Sequence, residues 1–179
     1  MASILSHPAA ALALAPLFER AGVPRPMIWL GALCTIMPDF DVAGLAFGIP
    51  YGEVLGHRGL THSIAFAAVL GIALTLWKRP AGSRAANALF LTLCTASHGL
   101  LDSLTDGGLG IAFFAPFDAT RYFLPWNPIR VSPIGLGEFL SLEGVGVLAS
   151  EVVWVWLPAL ALFGLGAGCV RLLGGRRAP

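Results

Sequence analysis

Long apolar runs limit the shapes open to this chain. Leu60 to Trp77, Ala85 to Leu104 and Val152 to Val170 each come close to the ~20 apolar residues that cross a hydrocarbon core. Inside lipid a segment must close its own backbone hydrogen bonds, so each of these reads as a helix and a full span. Two shorter runs, Ala9 to Phe18 and Pro26 to Met37, predict helices reaching part-way from one face. The second opens on a proline suited to a first helical turn and closes at Pro38. Between 106 and 137, Gly107, Gly108, Pro116, Pro125, Pro128 and Pro133 predict a loop with a re-entrant or interfacial piece, and Tyr122, Phe123 and Trp126 suit the headgroup zone. The expectation is an all-α, polytopic membrane helical bundle with three full spans plus two shorter helices, forming one integral membrane domain over residues 1–179.

Composition agrees, with 56% hydrophobic and 12% charged residues against about 25% charged in soluble domains. The partner implied is the lipid bilayer. A net charge of +1, with basic residues in scattered pairs, argues against nucleic acid. Cys34, Cys94 and Cys169 are odd in number and sit in apolar runs, so they read as small buried hydrophobes. The apolar stretch from Ala9 has no basic residue before it, which argues against a removable signal peptide. Gly164, Gly166 and Gly168 predict a close helix-packing face within the bundle.

Basic residues set the expected orientation. Arg20 and Arg25 separate the two short helices, Lys78, Arg79 and Arg84 separate the first two spans, and Arg171, Arg176 and Arg177 follow the last. If every segment reverses direction, all eight lie on one side, the cytoplasm by the positive-inside rule. The location implied is a bacterial-type inner (plasma) membrane.

That alternation sends the chain's polar islands to the opposite, extracytoplasmic face. They hold all four histidines: His7, the His57-to-Ser63 island with His62, and His98. Asp39, Asp41 and Asp102 lie in the same settings. Imidazoles and carboxylates beside apolar segments cost several kcal/mol unless a partner, proton or metal satisfies them. His98 and Asp102 stand at i and i+4, about 6 Å apart at Cβ on one helix face, where they can share an ion or simply hold one another. Asp39 and Asp41 repel unless a cation lies between them or one is protonated; a solvated Asx turn is the other reading. His62, in a first helical turn, is the preferred ligand of its island, and His57 is a second ligand or a proton carrier. Arg58 suits a phosphate or developing oxyanion, or else a headgroup. The candidate metal ligands are thus His7, Asp39, Asp41, His62, His98 and Asp102. His57 and Arg58 are the candidate catalytic groups. Oxygen and imidazole donors without thiolate point to a divalent metal, zinc before manganese or iron, as one or two ions.

In these residues the chain resembles the inner-membrane metal-dependent hydrolase family that includes the LexA-regulated member. The resemblance runs from Ser6 to Pro128. It rests on His7, Pro38-to-Asp41, the His57-to-Ser63 island, and His98 with Asp102 followed by Thr105, Gly107 and Pro116. More distantly, the order of ligands is similar to the helical zinc-dependent phospholipase C and single-strand nuclease superfamily. That similarity implies Asp39, His62, His98 and Asp102 at one metal and His7 with Asp102 at a second. No histidine follows His98, so the superfamily's later ligands are missing.

The function expected is hydrolysis of an ester or phosphoester, lipid-linked because the site is recessed among helices, by metal-activated water. The alternative is a non-enzymatic membrane metal-binding or transport component. Transport predicts acids continuing through the spans, and none occurs between Ala65 and Trp77 or between Ala85 and Thr95.

Overall fold

The computed structural model describes residues 1–174. Its helices are α1 (Pro8–Arg20), α2 (Arg25–Cys34), α3 (Ala43–Ala46), α4 (Ile64–Lys78), α5 (Arg84–Ser103), α6 (Leu136–Phe139), α7 (Leu142–Glu151) and α8 (Leu157–Gly174). Among the described residues there is no β-strand, only isolated bridges pairing Thr105 with Ile129 and Ile111 with Tyr122.

Two hairpins make the centre. α1 and α2 turn at Gly22, whose φ of 86° a side chain would resist. α4 and α5 pack along each other through Gly71, where an added Cβ would lie 2.8 Å from the Thr92 nitrogen and 2.9 Å from the Ala88 carbonyl oxygen. Ser63 and Ser83 cap α4 and α5 by accepting from Phe66 N–H at 3.0 Å and Ala86 N–H at 3.2 Å. Between the hairpins Met27, Ile28, Cys34, Phe90, Leu91 and Cys94 form the dry core. α8 lies along α1, with Gly166 against Pro16 and Leu17, while Gly164 and Gly168 face open space. Of the expected three-glycine packing face, only Gly166 meets a neighbour.

The three full spans expected from hydropathy are corrected. Two helical runs, Arg25–Ala46 and Leu142–Leu173, are long and apolar enough to cross a membrane, and Ile64–Lys78 is a shorter apolar helix. Each difference has a local cause. Pro38 does not end the second run: it occupies the first turn of a 3-10 segment, Met37–Val42, where no N–H is required, and the chain continues into α3. Leu60–His62 is a separate 3-10 turn, because Ser63 takes an extended conformation to cap α4. The last run starts at Leu142 under a Ser141 cap and passes through a π-helical turn, Val152–Trp156. α5 carries buried Asn87, Thr95, His98, Asp102 and Ser103, which lower its hydropathy.

Residues 106–135 form no helix and fold back on the bundle. Ala112 N–H donates to the Arg58 carbonyl at 3.1 Å, and Ile64 N–H donates to the Phe113 carbonyl at 3.0 Å. At the other end of the molecule Gly82 packs on the backbone of Gly22, so the turns bearing Arg20, Arg25, Lys78, Arg79 and Arg84 meet. α8 runs parallel to α1, with Trp156 beside Ser6 and Gly166 beside Pro16 and Leu17, so Arg171 in its last turn lies toward the same end; Arg176 and Arg177 lie outside the described residues.

Candidate metal centre

Three chain segments deliver four side chains to one point opposite that basic end. Asp39 comes from the 3-10 segment after α2, His62 from the 3-10 turn before α4, and His98 and Asp102 from one face of α5. His62 Nε2 and His98 Nε2 are 3.1 Å apart. Asp39 Oδ1 is 3.2 Å from His98 Nε2 and 3.7 Å from His62 Nε2. Asp102 Oδ2 is 3.8 Å from each. All four residues are buried.

The ring nitrogens behind these atoms fix the tautomers. His98 Nδ1–H donates to the Thr35 carbonyl at 2.7 Å. His62 Nδ1 faces Asp41 Oδ2 at 3.2 Å and Thr61 Oγ1 at 3.1 Å. Both Nε2 atoms therefore present lone pairs, and lone pairs facing at 3.1 Å call for positive charge between them.

The donor set fits a divalent cation on three counts. Ligands ~2.0–2.1 Å from a tetrahedral ion sit about 3.3 Å from one another, and the distances above bracket that spacing. Both oxygens of Asp39 and Oδ2 of Asp102 are buried with no hydrogen-bond partner, an arrangement costly without a cation. Among the cluster's side chains, the carboxylates of Asp39, Asp41 and Asp102 outnumber the single cation Arg58 by two charges. The cysteines lie elsewhere, Cys34 and Cys94 in the dry core and Cys169 exposed.

The remaining expected site residues surround this group in different roles. Asp41 lies behind His62: its Oδ1 takes the His57 Nδ1 proton at 2.6 Å and its Oδ2 takes the Thr61 hydroxyl at 2.6 Å. It forms a second group with His57 and His62, but its oxygens are already engaged. His57 packs edge-on to the rings of Tyr51 and His62, at 5.0 and 5.4 Å between centroids. His7, just ahead of α1, stacks on His98 at 3.8 Å, and both its nitrogens lack partners. Its Nε2 is 3.6 Å from Asp102 Oδ1.

Arg58 departs from the free anion-binding fork expected of it. With φ 64° and no exposure, it donates from Nη1 to the Gly107 carbonyl at 2.7 Å and from Nη2 to Thr105 Oγ1 at 3.1 Å. Its Nε lies 3.4 Å from Asp102 Oδ2. The guanidinium is thus a buried counter-charge for a carboxylate of the cluster.

Three contributors escaped sequence reasoning. The Thr35 carbonyl leaves no mark in a sequence. Arg121 binds the carbonyls of Tyr51, Glu53 and His57, each at 3.1 Å, and so clasps the two loops over the site. Glu151 is wholly buried; its signal was a lone carboxylate against the apolar run from Val152.

A family model described as YdjM inner membrane protein matches residues 1–173. The chain is also similar to a curated relative, Inner membrane protein YbcI of Escherichia coli (strain K12), with 37% identity over 169 residues, covering 92% of this chain and 96% of that protein. No solved structure matches.

Proposed function

The chain belongs to the YdjM inner membrane protein family, and from that premise we propose a membrane-embedded, metal-dependent hydrolase acting on an ester or phosphoester, lipid-linked in keeping with its surroundings. Asp39, His62, His98 and Asp102 would hold a divalent cation, with zinc favoured by the nitrogen and oxygen donors. The observation that carries this reading is the convergence of four buried ligand atoms, three carboxylate oxygens among them or beside them lacking any partner. When bound, such a cation lowers the pKa of water and polarises an ester oxygen.

The chain's own groups do the rest. The Thr35 carbonyl and Asp41 hold the rings of His98 and His62 with Nε2 turned inward. His57, its Nδ1–H fixed on Asp41, keeps Nε2 for accepting and returning a proton. Arg58 positions Asp102 and offsets its charge. The loops clasped by Arg121 keep bulk water away.

One observation favours a second reading, a non-enzymatic metal-binding component. Four protein ligands close a tetrahedron, whereas catalytic sites keep a position open. Hydrolysis requires one ligand to withdraw or the coordination to expand.

The test is elemental analysis of purified protein beside a His98→Ala, Asp102→Ala double variant, followed by a screen of lipid phosphoesters and carboxylesters. Metal in the wild type, absent from the variant, with turnover of one ester class is the expected result. Equal metal content would reject the site, and metal without turnover would leave the second reading.

A further inference from the structure

Glu151 is a fully buried carboxylate at the end of α7, on the far side of the sequence from every ligand. Its partners all belong to the first residues of the chain. Ser3 N–H donates to Oε1, and the hydroxyls of Ser3 and Ser6 donate to Oε2 at 2.6 and 2.7 Å. Trp156 Nε1–H donates to the same Ser6 oxygen at 3.0 Å. Glu151 and Trp156 are five residues apart, a spacing that would set them about 140° apart around an α-helix. The π-helical turn between them, bonded i to i+5, brings both to Ser6.

The segment so held reaches the cluster. Ala2 N–H donates to Asp102 Oδ1 at 2.7 Å, which leaves Oδ2 as the oxygen facing His62 and His98. His7, at the segment's end, lays its ring parallel to His98, 14° between planes. We propose that Glu151 is a positioning residue of the metal centre: from the long C-terminal helix it fixes residues 1–7 as a roof that selects the Asp102 oxygen offered to the cation and backs the His98 ring. The proposal rests on the metal reading above. Groups beyond the ligands that orient them in this way change metal affinity by about 10–100-fold when removed.

The experiment uses the full chain in detergent, as wild type, Glu151→Ala and Glu151→Gln, with Co²⁺ as the probe. Cobalt titration followed by visible absorption reads affinity and coordination geometry, and hydrogen exchange of the metal-free protein reads the 1–7 segment. Circular dichroism checks that each variant keeps its helices, and Glu151→Gln, which retains one acceptor oxygen, serves if the alanine variant does not fold. The expected result is faster exchange over residues 1–7, cobalt binding weakened by about 10-fold or more and a shifted ligand-field spectrum, with Glu151→Gln between the other two. Cobalt affinity and spectrum unchanged in a folded variant would overturn the positioning role while leaving the metal site standing. A wild-type chain that takes up no cobalt would instead remove the metal reading, and the positioning role with it.

Discussion

At the scale of single residues, the cluster separates side chains whose donor atoms face inward from the groups that hold those atoms in place. Asp41 touches His57, Thr61 and the Nδ1 side of His62. Asp41→Asn puts an amide donor where at least one proton must be accepted. It should weaken metal binding by about 10–100-fold without abolishing it, whereas Asp39→Asn, which neutralises an inward-facing oxygen, should abolish it; competition with a chromophoric chelator measures both. Arg58→Ala leaves Asp102 buried beside uncompensated charge, a change that costs about 3–5 kcal/mol. The variant's melting temperature should fall in chelator and recover in part with zinc, since a cation restores the missing positive charge. The sequence made the converging residues legible: His98 and Asp102 by i,i+4 spacing, Asp39 and His62 by their polar settings. It could not divide Asp39 from Asp41, because that depends on which nitrogen of His62 each one meets. Nor could it show Arg58 as a counter-ion, because that follows from its folding inward at positive φ.

At the scale of elements, hydropathy placed helices correctly and misjudged their ends. Pro38 was a stop by its chemistry, yet a 3-10 turn accepts proline without losing a hydrogen bond. Leu60–Trp77 looked continuous, yet Ser63 interrupts it by capping α4. The π-helical turn is the clearest case of a feature composition cannot signal, since Val152–Trp156 is as apolar as its flanks. Deleting Val153 should let this stretch relax to an α-helix and carry Trp156 away from Ser6. The expected outcome is a red-shifted tryptophan emission relative to wild type together with a lower melting temperature; unchanged emission would mean the turn does not set that contact.

For the molecule as a whole, charge is divided between two ends. Arg20, Arg25, Lys78, Arg79, Arg84 and Arg171 share one, and the cluster occupies the other. The positive-inside rule then predicts that alkaline phosphatase fused after residue 80 is inactive and fused after residue 118 is active; the reverse pattern would turn the molecule over. Overlapping with this polarity is the depth of the cluster, whose ligands are sealed by loops that Arg121 ties together. A cation seated there would meet bulk solvent only at the narrow exposed edge of Asp39, so its residence time would depend on how often the loops part as well as on the strength of its bonds. Loading of the folded, metal-free chain would then be slow but complete, with uptake of added zinc reaching full occupancy on the time course of loop opening rather than at the rate of diffusion.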